Sequence, residues 1–276
     1  MSAPPRLFDR PLRRLRLDRA AKGFRGADFL HCRAADDIAG RLEPILRDFP
    51  IAVDLTARAG AFRDALATSD AAGRVGLLIE ADLSARMLRD RNGARLVADE
   101  ERLPFKRESL DLIVSTLGLH WTNDVVGALI QARRSLKPDG LYIAAFLGGT
   151  TLTELRQSLV AAEIELTGGA GQRVSPFADA TDAAGLLQRA GFVQPVADID
   201  RVSVTYESPL RLMADLRQMG ETNALADRHP KALTRELLAR TAAIYTERFG
   251  LPDGRIPATF EILTLTGWAP TLRPDP

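Results

Sequence analysis

Acidic side chains follow successive apolar runs in the first half of the chain. Asp54 follows residues 51–53, Asp82 ends the next apolar run, and Asp99 and Glu100 follow the third. Since the carboxyl ends of parallel strands meet at one edge of a sheet, these carboxylates would surround one pocket. We interpret Asp82 as an acceptor for ribose hydroxyls and Asp99 as an acceptor for an adenine amino group. Taken singly, each carboxylate is more typical of a helix cap or a turn; their shared position in the pattern favours a nucleotide site.

The elements that must position these carboxylates follow from the apolar periodicity. Short apolar runs alternate with helical stretches, which is typical of parallel strands joined by crossover helices, so we predict an α/β fold with helices on both faces of the sheet. Strands are predicted at 51–55, 75–82, 94–98, 110–115, 141–146, 193–206 and 258–268. Helices are predicted at 84–91, 125–136, 151–166, 182–190, 209–219 and 232–249.

Composition and pattern divide the chain into four parts. Residues 1–48 form an N-terminal basic helical segment, 49–206 the core, 207–254 a helical cap insertion, and 255–276 the final core strand with a tail. Residues 1–25 alone hold eight arginine and lysine side chains against two aspartates, a net charge of 8 − 2 = +6. We interpret this stretch as a solvated basic helix packed through Leu12, Leu15 and Leu17, with contact to a phosphate-rich or acidic partner as the alternative.

The composition limits the classes to which the protein can belong. Its 276 residues carry a net charge of +1 and 46% apolar side chains, as in an ordinary globular protein rather than a disordered or nucleic-acid-binding one. Cys32 is the one cysteine, which excludes an internal disulfide framework and a cysteine-based metal cage from this chain alone. No apolar run is long enough to predict a membrane span, and residues 1–10 lack the apolar core of a secretory signal. We expect a cytoplasmic protein if the source is bacterial, and a mitochondrial matrix protein if it is eukaryotic.

Five short segments resemble the successive motifs of class I S-adenosylmethionine-dependent methyltransferases. They are DLSARML (82–88), LPF (103–105), LDLIV (110–114), LHW (119–121) and LKPDG (136–140). The resemblance implies a Rossmann-like sheet of seven strands whose last pair is antiparallel, with S-adenosylmethionine lying across the first strands. The cofactor contacts that it implies are Asp54, Thr56, Arg58, Gly60, Asp82, Leu83, Asp99, Glu100 and Leu117.

The loop after the first strand departs from that family's pattern. The family has an acidic residue followed by three alternating glycines, whereas this chain has Thr56 and Arg58 in place of the first two and keeps Gly60. A threonine held at positive φ would cost about 1 to 2 kcal/mol and crowd the methionine part of the cofactor. Arg58 either binds the methionine carboxylate or points to solvent.

Further segments are similar to one subgroup, the mitochondrial complex I assembly factor 5 family and its bacterial relatives. They are GGTTLTELR (148–156), SPF (175–177), RAGF (189–192), DLRQMGETN (215–223) and IPATFEI (256–262). The core motifs are more distantly similar to malonyl-carrier-protein O-methyltransferases. The subgroup implies a protein substrate, an iron-sulfur subunit of complex I, and an arginine hydroxylation that the residues do not themselves support. His31, His120 and His229 are scattered, so no facial triad for iron is recognised and no metal site is predicted.

His120 is the candidate catalytic residue, because it follows the fourth strand, where a base could take a proton from an acceptor. The alternative is that His120 and Trp121 only form a wall of the pocket. Polar side chains in the segments shared with this subgroup could border the mouth of the pocket, and the carboxylates of Glu154 and Glu221 could pair with a guanidinium. The alternative is that these side chains are exposed charges on helices. With Trp121, the predicted substrate-binding residues are Glu154, Arg156, Arg173, Glu221 and Asn223.

Two functions from different classes follow from these observations. The first is an S-adenosylmethionine-dependent methyltransferase-like enzyme that modifies a protein side chain during assembly of respiratory complex I. The second is an assembly factor or chaperone with the same fold, either non-catalytic or arginine-hydroxylating. Thr56 and Arg58, which replace two glycines in the loop after the first strand, favour this second function. A small-molecule O-methyltransferase is the third alternative.

Overall fold

The central sheet is built from the apolar runs of the sequence. The computed structural model describes residues 6–176, 183–228 and 233–271. Within these residues the strands are β1 (Phe49–Asp54), β2 (Val75–Asp82), β3 (Arg95–Val97), β4 (Leu110–Thr116), β5 (Leu136–Leu147), β6 (Val193–Tyr206) and β7 (Ile256–Trp268). They form one sheet in the order β3-β2-β1-β4-β5-β7-β6. The first five strands run parallel, and β7 is antiparallel to both β5 and β6, which confirms the expected seven-stranded α/β fold.

Helices cover both faces of this sheet. They are α1 (Arg10–Ala20), α2 (Phe29–Leu42), α3 (Ala61–Thr68), α4 (Val125–Ser135), α5 (Thr153–Thr167), α6 (Ala183–Arg189), α7 (Pro209–Gln218) and α8 (Arg235–Phe249). One buried cluster joins α2, α3, α5, α7 and α8 to one face of the sheet, and a second joins α4 and α6 to the other. No helix among the described residues is long and apolar enough to span a bilayer.

Two sequence-based predictions of local structure are wrong. The helix predicted at 84–91 is a series of turns, in which the Ser84 hydroxyl accepts hydrogen bonds from the backbone N–H groups of Arg86 (3.2 Å) and Met87 (3.3 Å). Strand β5 begins at Leu136, not at residue 141, with an irregular register opposite β4. Lys137 explains this early start, because its ammonium group binds both oxygens of Asp111 on β4 at 2.9 Å.

The remaining boundaries lie close to those predicted. The first residues of the helices predicted at 182–190 and 232–249, together with Phe177 and His229, lie outside the described residues. Strands β2 and β6 have the predicted bounds. Local periodicity therefore predicts most of the elements to within a few residues.

Helix α1 lies across the carboxyl edge of the sheet. Asp9 caps it by accepting a hydrogen bond from the backbone N–H of Leu12 at 3.0 Å, and the Asp9 N–H donates to the carbonyl of Ala224 at 2.8 Å. Leu17 is fully buried and belongs to a small cluster with Phe24 and other apolar side chains. The basic N-terminal stretch is thus a helix packed on the protein through Leu17 and Leu12, whereas Leu15 is 43% exposed.

Candidate functional site

The loop between β1 and α3 takes an unusual backbone path. Thr56 does not have a positive φ; the left-handed residues are Arg58 (φ 40°), Ala59 (φ 60°) and Gly60 (φ 88°). The predicted strain at Thr56 is therefore wrong, and the strain of about 1 kcal/mol or more per non-glycine residue falls on its neighbours. The φ of 88° at Gly60 favours glycine, and a Cβ atom there would also force the Arg91 guanidinium to move.

Thr56 joins the loop to the end of β4. Its fully buried hydroxyl accepts a hydrogen bond from the N–H of Thr116 at 2.6 Å and donates to the Thr116 carbonyl at 2.9 Å. Leu117 follows with φ 53° and is also buried. At the position where the family pattern has a glycine, this chain thus has a threonine whose hydroxyl links the loop after β1 to the end of β4.

Arg58 pairs with the predicted ribose ligand. Its guanidinium lies 2.5 Å from Asp82, and its backbone N–H donates to the same carboxylate oxygen at 3.2 Å. The other Asp82 oxygen accepts from the N–H of Ser84 at 2.8 Å. Both members of the ion pair are at most 1% exposed. Arg58 therefore does not point to solvent, and in this structure it takes the position on Asp82 that a ribose would use.

A second arginine meets the predicted adenine ligand. Arg10 of α1 lies 2.6 Å from Asp99, also pairs with Glu100, and donates to the carbonyl of Trp121 at 3.1 Å. Leu83 is buried against the inner side of the same helix. The edge of the sheet where the cofactor is expected is thus covered by α1.

Glu221 gathers three side chains at the centre of the site. It pairs with Arg13 at 2.7 Å, accepts from the Trp121 indole at 2.8 Å, and lies 3.1 Å from Nε2 of His120. The Arg13 guanidinium also stacks over the Trp121 ring, 4.2 Å from its centroid. Burial alone would raise the pKa of Glu221, but the charge of Arg13 and the His120 hydrogen bond outweigh it and hold that pKa well below its usual range.

His120 is fixed at both ring nitrogens. Its Nδ1 accepts a hydrogen bond from the N–H of Leu147 at 3.3 Å, so in the neutral ring the proton is on Nε2 and is donated to Glu221. Burial lowers the pKa of His120. This arrangement suits the interpretation as a pocket wall better than that as a base, because both nitrogens already have protein partners.

Several buried polar atoms around these pairs have no hydrogen-bond partner among the described residues. They include one carboxylate oxygen of Asp54, the hydroxyl of Thr116, Nε of Arg58 and both ring nitrogens of His31. Burial, helped by the charges of Glu80 and Asp82, raises the pKa of Asp54 to about 8. Since buried polar groups are nearly always hydrogen-bonded, this group of atoms fits a polar ligand. The residues present therefore fit a nucleotide-like cofactor, provided that Arg58 and Arg10 release their carboxylates.

Trp121 and Glu221 also form part of the wall of a cavity of about 510 Å³. Four of the predicted substrate residues line it: Trp121, Arg173, Glu221 and Asn223. The other two do not. Glu154 accepts from the N–H and hydroxyl of Thr259 at 3.2 and 2.5 Å, and Arg156 donates to the carbonyl of Ser175 at 3.3 Å. Among the described residues, no group of three or more histidine, cysteine or acidic side chains could hold a metal ion.

Three residues at or near the site were not predicted from the sequence. Arg10 and Arg13 were visible only as part of the basic N-terminal excess, and His31 only as a single histidine. His31 is fully buried on α2, packs edge-on against Phe24, and its pKa is lowered to about 3 by burial and by the charge of Arg58. No local signal in the sequence distinguishes these three from surface side chains.

Comparison with known proteins shows which proteins this chain resembles. The profile of a family described as "Methyltransferase domain" matches residues 53–144. The human mitochondrial protein named arginine-hydroxylase NDUFAF5 is 40% identical over 270 residues, which span 95% of this chain and 76% of the human protein. The malonyl-[acyl-carrier protein] O-methyltransferase of Methylovorus sp. is 33% identical, over 99% of this chain and 93% of that protein. An S-adenosylmethionine-dependent methyltransferase from Thermotoga maritima matches in fold, with a TM-score of 0.52 at 17% identity, over 93% of this chain and 99% of the other.

Proposed function

Because the chain belongs to the family of the arginine-hydroxylase NDUFAF5 and has a class I methyltransferase fold, we propose that it is an S-adenosylmethionine-dependent enzyme. The observation that carries the proposal is that buried polar atoms of Asp54, Thr116 and Arg58, which lie at or just after the carboxyl ends of β1 and β4, have no hydrogen-bond partner among the described residues. Asp82 would hold the ribose and Asp99 the adenine. Bound there, the cofactor would supply an electrophilic methyl group, and this chain's residues would position the acceptor and exclude water.

The acceptor would lie in the cavity beside Trp121 and Glu221. The segment 207–254 would act as its cap, since α7 and α8 contribute Met213, Leu216 and Leu238 to the lining. The family relationship supports a protein acceptor in respiratory complex I, an iron-sulfur subunit, and a compartment where that complex is assembled. His120 would serve mainly to orient Glu221, whose carboxylate already binds Arg13.

A second function is favoured by one specific contact. The Arg58–Asp82 pair is buried, and releasing Asp82 for a ribose would leave a charged guanidinium that needs a new partner. If that pair never opens, the protein is an assembly factor that acts by binding a partner without cofactor turnover. The two candidates thus differ in whether Asp82 becomes available.

Titration calorimetry with S-adenosylmethionine and S-adenosylhomocysteine distinguishes them. We expect the wild-type protein to bind, Asp82→Ala to lose binding, and Arg58→Gly to bind about tenfold more tightly because Asp82 no longer has an internal cation. Asp90→Ala, an exposed aspartate outside the site, is the matched control and should bind as the wild type does. Absence of binding to both the wild type and Arg58→Gly, with both proteins folded by circular dichroism, would exclude the enzyme and favour the cofactor-free assembly factor.

A further inference from the structure

The cavity beside Trp121 has a mostly apolar lining. Aliphatic side chains from four parts of the fold face it, among them Leu147 at the end of β5, Leu155 and Leu159 on α5, and Leu216 on α7. Its volume of about 510 Å³ lies in the range of pockets that enclose small molecules. Such a lining favours a hydrocarbon chain, because each methylene group moved out of water contributes favourably to binding.

The polar part of the lining is strongly cationic. Arg16, Arg173, Arg217 and Arg228 all line the cavity, and Glu221 is the one acidic residue among the described lining residues. The charge of Glu221 is already balanced by Arg13. The cavity therefore has an excess of positive charge.

Not all of these arginines are neutralised by the protein. Arg173 pairs with Glu163 at 2.6 Å and Arg228 with Asp9 at 3.3 Å. Arg16 and Arg217 have no carboxylate partner among the described residues, and Nε of Arg16 is buried without a hydrogen bond. Burial and the charges of Arg228, Arg19 and Arg217 lower the pKa of Arg16, so its surroundings are repulsive to its own charge.

We propose that this cavity binds a single-chain amphipathic anion, with its hydrocarbon chain among the leucines and its carboxylate or phosphate head on Arg16 and Arg217. A guanidinium forms short, two-pronged hydrogen bonds with either head group, and an anion there would relieve the repulsion among the arginines. The same charges disfavour an arginine side chain or an ammonium group as the occupant. The inference goes beyond the proposed function, because it gives this cavity a small-molecule ligand that would compete with the protein acceptor.

Binding of ten-carbon probes tests the inference directly. Decanoate, decyl phosphate, decanol and decyltrimethylammonium are titrated calorimetrically into the full chain without S-adenosylmethionine, and the fluorescence of Trp121, measured in the variant Trp268→Phe, reports occupancy of the cavity. We expect both anions to bind at least about tenfold more tightly than decanol, and the cation to bind least. Tighter binding of decanoate than of decyl phosphate would identify a carboxylate head, and the reverse order a phosphate.

Matched variants connect the binding to the cavity. Arg16→Gln should weaken decanoate about tenfold and leave decanol unchanged, whereas Arg14→Gln, at an exposed position on the same helix outside the lining, should change neither. Leu159→Trp, which fills the cavity, should abolish binding of all probes. Equal affinity for the four probes, no binding of any, or unchanged decanoate binding to Arg16→Gln would overturn the inference. Because no cofactor is present in these titrations, their result is independent of whether S-adenosylmethionine binds.

Discussion

At the scale of single residues, the site is governed by arginines that enter it from distant parts of the chain. Arg13 and Arg58 are each 1% exposed, and each meets a carboxylate of comparable burial, Glu221 or Asp82. Removing a charge from water is costly, so such a pair is stable only while both partners remain. Each arginine therefore makes its carboxylate necessary for the fold, and Asp82 becomes available to a ligand only when Arg58 releases it.

Replacement of Glu221 tests this dependence. Glu221→Gln should lower the free energy of unfolding by about 3 kcal/mol, because the amide leaves the buried Arg13 charge uncompensated. Urea unfolding at neutral pH measures the change. Glu165→Gln removes a carboxylate from an exposed pair with Arg240 and should have no measurable effect. Equal effects of the two substitutions would contradict the argument.

At the scale of secondary-structure elements, α1 acts as a cover of the sheet edge. It brings Arg10 to Asp99, Arg13 to Glu221, and Asp18 to the Ser84 hydroxyl at 2.6 Å. The apolar inner face of the helix, centred on Leu17, holds these polar contacts in place. Asp99 is 28% exposed and lines a cavity together with Arg10 and Asp18, so a cofactor that reaches Asp99 would contact α1.

Loosening α1 should be possible without unfolding the sheet. Leu17→Ala removes a fully buried side chain and should cost about 3 kcal/mol of local stability. We expect amide hydrogens of α1 to exchange faster in this variant, with those of β1 and β4 little changed, by hydrogen-deuterium exchange. Leu15→Ala, 43% exposed on the same helix, should leave the exchange rates of α1 as they are in the wild type. Uniformly faster exchange throughout the protein would show that α1 is not a separable element.

At the scale of the whole molecule, buried histidines make stability depend on pH. His31 has a pKa lowered to about 3 in the folded protein, against an ordinary value near 6.5. Below about pH 6.5 the unfolded chain therefore binds a proton at His31, whereas His31 in the folded protein stays neutral until the pH approaches 3. The contribution of neutral His31 is complete above that pH and is lost as the pH falls toward 3, by up to about 1.4 kcal/mol per pH unit.

The variant His31→Leu should remove this part of the pH dependence. Leucine fits the apolar contact with Phe24 and does not titrate. Between about pH 7.5 and pH 5 the free energy of unfolding of the wild type should decrease relative to that of the variant, since His120, and Asp54 with its raised pKa acting in the opposite sense, are present in both. Urea unfolding at several pH values measures the two slopes, and parallel slopes would refute the assignment to His31.

The amino-acid sequence by itself determined the α/β architecture and the carboxylates at the strand ends. Strands β2 and β6 have the bounds that apolar periodicity predicts, and Asp54, Asp82 and Asp99 all lie at the expected edge. These features are local, because the period of the side chains along a strand is set by neighbouring residues. The helix predicted at 84–91 was wrong: turns follow Ser84, although its hydroxyl accepts from the N–H groups of Arg86 and Met87 as a helix cap would.

Only the tertiary structure decided which side chains occupy the site. Arg10 and Asp99 are 89 positions apart, and Arg13 and Glu221 are 208 positions apart, so no window of sequence contains both partners. The same holds for the cavity, whose apolar wall and arginines come from β5, from helices α1, α5, α7 and α8, and from the loops that contain Arg173 and Arg228. The excess of positive charge in the first 25 residues was visible in the sequence. The groups that these charges contact depend on how α1 packs, and that packing is set by contacts across the whole chain.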